Sequence, residues 1–324
     1  MEPIVVHLLQ YGEPAVRFKL LTGALGRDPE DMLVSALRMT VRRSPLTQTL
    51  LADRDDAGRL PYHPYFKWLG AHWTLVQLAD LGYPPGDDDL IPLREQVHDW
   101  LLGPGHTRNV PIIQERARRC ASQEGNAVLA MLTLGLADDR TEELVRRLQG
   151  WQWPDGGWNC DRNPQATHSS YHETLIPLRA LALHAQHTGD AASQSCVEQG
   201  VEVLLKRQLY LRLSTGEAID AAFAQLHYPY YWHYNILYAL RVMAECGAID
   251  DPRCARALDL LESKRLPDGG WPAETKYYTV YRQGKLRSGH SRVDWGGVKR
   301  QQMNPWVTAQ SLAVLQAAGR LNDA

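Results

Sequence analysis

The stretch Gln152–Trp158, QWPDGGW, and its counterpart Leu266–Trp271, LPDGGW, decide the fold. Each ends a segment whose apolar residues recur at helical spacing: RLQGWQWPDGGW (147–158) and LLESKRLPDGGW (260–271). A third segment, TLLADRDDAGRL (49–60), runs into a Gly-containing turn in the same way. Glycine stops a helix because it accepts the left-handed backbone that a C-terminal cap needs. After each turn and a variable loop, a second helical segment follows. Self-similarity of this kind is the mark of a repeat architecture.

The segments after the turns share a signature, an aromatic or polar start followed by small and aliphatic residues. They are WLGAHWTLVQLADLG (68–82), CASQEGNAVLAMLTLG (120–135), HSSYHETLIPLRALAL (168–183), YWHYNILYALRVMAECG (231–247) and NPWVTAQSLAVLQAAG (304–319). Apolar residues cover nearly every face, which predicts helices buried all round. EPAVRFKLLTGALG (13–26) is a candidate sixth. The segments before them, such as PLREQVHDWLL (92–102), DRTEELVRRLQ (139–149), QSCVEQGVEVLLKRQL (194–209) and DPRCARALDLLESKR (251–265), carry one charged face and belong outside. The expectation is an all-α chain, residues 1–324 as one α/α toroid of five to six helical hairpins. Inner helices this apolar favour a closed ring over an open solenoid. The irregular stretch from about 272 to 304 is expected to be a lid or a site wall.

Composition narrows the function classes. The chain has 35 basic and 37 acidic residues and no basic run, so nucleic acid and anionic membrane surfaces are poor partners. The N-terminal MEPIVVHLLQYGEP lacks a cationic leader, and no apolar run approaches spanning length, so a cytoplasmic protein without stable membrane insertion is expected. Five cysteines at irregular spacings read as reduced thiols. Trp (10) and Tyr (14) far outnumber Phe (3), and aromatics with a polar handle suit a lined, partly wet cavity.

The two PDGGW turns resemble the QW-type repeats of the squalene cyclase and protein prenyltransferase superfamily, and WNCDRNPQATHSSYHETL (158–175) is similar to the stretch where an inner helix follows such a turn. The resemblance implies an α/α toroid and, more weakly, an enzyme acting on a small, partly apolar substrate, plausibly isoprenoid. Triterpene cyclases of that superfamily protonate their substrate with a DxDD motif. Asp53, Arg54, Asp55 and Asp56 spell it, but alignment of the repeats sets them in the turn before Gly58, at the end of an outer helix. Asp87, Asp88 and Asp89 read as an acidic helix cap. Trp158 and Trp271 are expected to plug the repeat turns.

Stacking the inner helices on their aliphatic runs aligns His72-Trp73-Thr74, Glu124-Gly125-Asn126, His172-Glu173-Thr174, His233-Tyr234-Asn235 and Trp306-Val307-Thr308. With helices about 10 Å across, side chains at one height in a ring of six reach most of the way to its axis. His72, Glu124, His172 and His233 would then converge as ligands of one divalent transition metal, zinc or iron, or as acid/base groups. The Thr and Asn two places on would orient them. Any one histidine alone reads sooner as a satisfied core residue; the coincidence of position is what favours the ring. A rival centre comprises Cys160, Asp161 and His168, with His168 and His172 on one helix face and Cys120 a weaker candidate. Asp161 is also a possible acid. Tyr62, Tyr65, Trp68, Trp73, Tyr230, Tyr231, Trp232 and Trp306 are expected to line the substrate site.

Three readings follow. The first is a terpenoid cyclase-like toroid enzyme using the His/Glu ring. The second is a zinc-dependent transferase or thiol-activating enzyme, resembling protein prenyltransferases, centred on Cys160, Asp161 and His172. The third is a non-catalytic scaffold that binds a ligand or a protein.

Overall fold

The computed structural model describes residues 2–108 and 110–321. Fourteen α-helices carry the fold: α1 (Pro3–Tyr11), α2 (Pro14–Lys19, continued by a π-helical turn, Leu20–Ala24), α3 (Met32–Arg43), α4 (Pro45–Leu51), α5 (Ala71–Leu81), α6 (Ile91–Leu101), α7 (Pro104–Thr107), α8 (Ala121–Thr133), α9 (Asp139–Trp151), α10 (Tyr171–Thr188), α11 (Ala191–Leu205), α12 (Ile236–Glu245), α13 (Ala255–Ser263) and α14 (Pro305–Ala317). Among the described residues, strand is confined to two ladders of two residues per strand, Ile112–Ile113 with Arg116–Ala117 and Thr279–Val280 with His290–Ser291, beside an isolated bridge between Leu211 and Ala218.

Six helices form an inner ring. In order, α2 packs on α5, α5 on α8, α8 on α10, α10 on α12 and α12 on α14, and α14 returns to α2 and its π-helical turn. The ring is closed, and the sixth inner helix is the one expected at residues 13–26. The outer layer is supplied by one longer helix ahead of each inner one, α1, α4, α6, α9, α11 and α13, with the single turn α7 between α6 and α8. Three of the outer helices open on side-chain caps that satisfy a first-turn N–H, Ser44 for α4, Asp138 for α9 and Asp190 for α11. Their apolar faces turn inward onto a single buried cluster that takes in residues from α1 to α14.

The three repeat turns have one backbone pattern. Asp55, Trp153 and Leu266 each donate N–H to the carbonyl four residues on, at Arg59, Gly157 and Gly270. Their own carbonyls accept from Gly58, Gly156 and Gly269. The first glycine of PDGGW is needed for its positive φ, +101° at Gly156 and +87° at Gly269. The second is needed for space: a Cβ on Gly157 would lie 2.5 Å from Thr174 Oγ1, and one on Gly270 would lie 3.0 Å from Thr308 Oγ1. Those threonines accept N–H from Trp158 (3.1 Å) and Trp271 (2.9 Å). Each indole then donates to an outer-helix carbonyl ten residues back, Leu148 (2.8 Å) and Leu261 (2.7 Å). The two tryptophans are structural plugs, as expected. Thr174 and Thr308 therefore lock the repeat turns, where the sequence suggested that they orient histidines.

Asp53, Asp55 and Asp56 occupy the turn after α4, as the repeat alignment indicated. Asp53 takes a bidentate ion pair from Arg292 and the Tyr62 hydroxyl, while Asp55 caps the turn at Ala57 and Arg59. Asp87 caps the short 3-10 turn ahead of α6. The stretch 272–304 forms a wall over the end of the ring where the inner helices begin: Gly289 donates to the Lys67 carbonyl, Trp68 Nε1 to the Tyr277 carbonyl, and Tyr277 stacks on His233 at 3.5 Å. No described helix is long and apolar enough to cross a membrane.

Replacing Thr174 with Val keeps the shape of the side chain and leaves the buried Trp158 N–H without an acceptor. The expected cost is about 1–3 kcal/mol in urea unfolding. An unchanged midpoint for Thr174→Val and Thr308→Val alike would remove the lock from the account.

Candidate functional site

The inner helices all start at one end of the ring, which we call the mouth. His72 is the second residue of α5, His172 the second of α10 and Glu124 the fourth of α8, while His233 precedes α12. All four lie at the mouth, but they do not meet. Among the described residues the only three His, Cys, Asp or Glu groups whose ligand atoms come within 4.8 Å of one another are Cys120, Cys160 and Glu173.

Each member of the expected ring has other neighbours, and neither ring nitrogen of His72 has a hydrogen-bond partner among the described residues. His72 is buried among the rings of Tyr65, Trp73 and Trp100, at 4.8–5.6 Å. Glu124 is fully buried and its Oε1 lies 2.7 Å from His106 Nε2, on α7. His172 Nδ1 accepts the Tyr234 N–H at 3.0 Å. His233 is sandwiched between Trp232 (3.9 Å) and Tyr277 (3.5 Å). Asn235 caps α12 and also bonds His227. Burial draws the imidazoles down, His72 and His233 to about 3 and His227 to about 4, so they sit neutral at physiological pH.

The rival centre is rearranged. Cys160 keeps its place, but Asp161 and His168 are exposed, in the loop ahead of α10. Asp161 turns its carboxylate to the Asn163 N–H, and because α10 starts only at Tyr171, His168 shares no helix face with His172. Cys120, at the N-cap of α8, and Glu173, in the first turn of α10, take their places. Glu173 Oε2 accepts the Ser122 N–H at 3.0 Å and its Oε1 lies 3.7 Å from Cys160 Sγ. A hydrogen bond from Cys120 holds the Cys160 thiol below its usual range, while the same bond and burial push Cys120 up. Burial raises Glu173.

Cys120 and Cys160 open on a hollow at the mouth that also has Tyr65, Lys67, Trp100, His106, Arg118, Arg119 and Arg162 in its walls. Arg118 is buried; its Nη1 donates to the carbonyls of Asp161 and Ala166, and its Nε and Nη2 have no partner. A second cavity, of about 370 Å³, occupies the far half of the bore and is walled by all six inner helices. Tyr230 and Tyr231 line it. Of the other residues expected to touch substrate, Tyr65 lines the mouth, whereas Tyr62, Trp68, Trp73, Trp232 and Trp306 line neither hollow. They pack instead: Tyr62 against Asp53, Trp68 on Tyr231 at 3.7 Å, Trp73 against Tyr65, Trp232 on His233 and Trp306 on Tyr228. The stack of Tyr65, Trp73, Trp68 and Tyr231 partitions the bore, and the two hollows have no lining residue in common.

The far cavity contains a charge network that the sequence reading missed. Asp80 pairs with Lys19 (2.9 Å) and Arg241 (2.6 Å), and Glu245 pairs with Arg241 (2.9 Å) and Arg179 (2.5 Å). Part of its signal was present: Asp80 is the one acidic or basic charge in the apolar run of α5, and Arg241 and Glu245 are the only charges of α12. Burial pushes the Asp80 carboxyl up, but the surrounding cations outweigh it and hold it well below its usual range.

No family model matches the chain, and neither does any curated protein. Among solved structures it is similar to two variants of the type II terpene cyclase MstE from Scytonema, each in complex with geranylgeranyl dihydroxybenzoate. One is 17% identical with a TM-score of 0.46, the match covering 95% of this chain and 88% of that one. The other is 18% identical with a TM-score of 0.47, covering 95% and 87%. At this distance the chemistry has to be read from the chain's own residues.

The depressed imidazoles have a consequence for stability. The unfolded chain binds protons at His72, His227 and His233 below about pH 6.5, and the native chain does not until about pH 3–4. Stability is therefore complete above this window and lost as pH falls through it. The unfolding constant should rise by up to about tenfold per pH unit for each such histidine, measured by urea titration at pH 7, 6 and 5. His72→Phe should make the slope shallower; an identical slope would refute a neutral, buried His72.

Proposed function

We propose that this protein is a metal-dependent enzyme of the toroid class, with a zinc centre of Cys120, Cys160 and Glu173 at the mouth and a small, partly apolar substrate that approaches through the mouth hollow. The observation that carries this reading is the convergence of two thiols and a carboxyl within 4.8 Å, with both thiols opening on the mouth hollow. The donor set fits zinc: bonds of about 2.0–2.3 Å put tetrahedral ligand atoms under about 4 Å apart, and three protein ligands with an open fourth position are the pattern of catalytic sites. The thiol-based second reading thus has more support than a His/Glu ring, although its ligands differ from those expected.

Burial works against ionising Cys120 and Glu173, and local structure offsets part of that cost. Cys120 and Glu173 sit at the N-termini of α8 and α10, where the helix dipole and free N–H groups stabilise negative charge, and Ser122 N–H holds one oxygen of Glu173. A bound zinc would supply Lewis acidity and a lowered pKa for a water or thiol in the open position. The chain's own groups do the rest. Lys67, Arg119 and Arg162 give the hollow a positive field suited to a substrate with an anionic part, and the unpartnered Nη2 of Arg118 offers a fixed donor. His106, paired with Glu124 at 2.7 Å, is placed to hold a proton beside the site. Tyr65 and Trp100 form the apolar wall.

The far cavity supports acid catalysis less well, because both of its acidic side chains, Asp80 and Glu245, are tied in ion pairs.

Metal analysis by mass spectrometry tests the assignment. Protein purified without chelator should carry about one equivalent of zinc, lost in Cys120→Ala and Cys160→Ala. His72→Ala, Asp161→Ala and His168→Ala should retain it. Zinc below about a tenth of an equivalent, unchanged after reconstitution, would overturn the reading, as would metal that follows His72 and not Cys160.

A further inference from the structure

The far cavity is independent of the mouth, and its chemistry is unbalanced. Three cations, Lys19, Arg179 and Arg241, face two carboxylates, Asp80 and Glu245. Arg179 and Arg241 share Glu245, and Arg241 and Lys19 share Asp80. Lys19 also donates to the Asp80 main-chain carbonyl, which carries only a partial charge. One full positive charge is left over on the cavity wall. A buried charge without a full counter-charge is costly, and burial pulls the Lys19 ammonium down to about 8 even with Asp80 beside it. Arg38, farther along the wall, has no ion-pair partner among the described residues and bonds only the Tyr83 carbonyl.

The unused polar atoms point the same way. The Tyr230 hydroxyl and the Asn126 amide nitrogen are buried, line the cavity and have no hydrogen-bond partner. Both can donate. Tyr230 lies near enough to Arg241 and Asp80 for their charges to act on its hydroxyl. Phe18, Val76, Leu129 and Val314 supply apolar wall, beside the polar side chains of Thr22, Gln77, Thr133 and Gln310. At about 370 Å³ the space falls within the range of small-molecule sites, about 300–1,000 Å³.

We propose that this cavity is a second ligand site, for an amphipathic monoanion: a carboxylate seated on Lys19, Arg241 and the Tyr230 hydroxyl, with an aliphatic body against Phe18, Val76, Leu129 and Val314. The head supplies the missing negative charge and occupies the orphaned donors, and the body excludes water from the apolar wall. The site does not depend on the zinc centre, since the aromatic partition of Trp68, Trp73 and Tyr231 stands between them.

Three probes with one alkyl chain and different heads separate the possibilities: decanoate, decanol and decyltrimethylammonium, titrated calorimetrically into the full chain at pH 7. Decanoate should bind at least tenfold more tightly than decanol, and the ammonium should give no heat of binding. Ala130→Phe, which fills the cavity, should abolish decanoate binding, and Lys19→Met should reduce it to the level of decanol. If Lys19→Met does not fold, the wild-type chain still provides the test: decanoate affinity should fall several-fold between pH 7 and pH 9.5, as Lys19 loses its proton, while decanol affinity stays level. Cys160→Ala, which removes the proposed zinc, should leave decanoate binding intact, so the two proposals fail separately. Equal affinity for decanoate and decanol, binding that survives Ala130→Phe, or no binding of any probe would each overturn the proposal.

Discussion

The structure depends on the contact that closes the ring. The first inner helix ends in a π-helical turn that carries Gly23, and the last, α14, presses Ala313 against it. A Cβ on Gly23 would stand 2.5 Å from the Ala313 Cβ, so only a residue without a side chain lets the two backbones come this close. An open solenoid has no such demand, since its terminal repeats face solvent. Once α14 seals against α2, six helices enclose a bore, and any charge on their inner faces must find its partner across it. Asp80 on α5 and Arg241 on α12 stand on opposite sides of the ring and meet at 2.6 Å. The sealed bore thus turns single charges on separate repeats into one network.

Such a network is a poor source of stability. Withdrawing ions from water costs several kcal/mol each, and well-packed apolar residues of similar volume often do as well, although removing one partner alone is costly because the other is stranded. Five charged side chains kept inside an apolar ring, three of them cationic, therefore fit a binding role better than a structural one. The segment 228–234 belongs to the same arrangement. Tyr228 gives its hydroxyl to Asp80, Tyr231 stacks on Trp68, and Tyr234 reaches the Leu209 carbonyl and donates its N–H to His172. One run of aromatic residues so links the charged end of the bore to the histidines of the mouth.

The turns and the helical rhythm were legible because they are local. A glycine with positive φ, a second glycine facing a threonine and a tryptophan reaching ten residues back leave a fixed trace, PDGGW, wherever they recur. The alternation of apolar and amphipathic helices depends only on which face meets water. The histidine ring was not legible, since it required helices in a common register, and aliphatic runs do not set register; caps do. Counted from the N-cap, His72, His172 and Trp306 are equivalent, two residues in, whereas Glu124 stands four residues in and His233 lies two before its cap. Two residues along a helix turn a side chain by about 200° and move it about 3 Å. That slip points Glu124 to His106 and leaves His233 in a loop. The threonine column that suggested the ring was a true repeat signal with a different cause, the lock on the tryptophan turn.

The thiol centre escaped the sequence for a related reason. Its three groups come from an N-cap, a loop and the first turn of a neighbouring helix, and no spacing rule joins Cys120 to Cys160 across a whole repeat. What brings them together is the close approach of α8 and α10, where a Cβ on Gly125 would meet the Pro177 nitrogen at 2.9 Å. Proline has no N–H to leave unpaired there, and glycine has no side chain to hold the helices apart. The two N-termini are thereby set side by side, and the carboxyl of one reaches the backbone N–H of the other. A contact selected for packing within the ring wall thus defines the spacing of the two helix ends, and the chemistry at the mouth follows from that spacing.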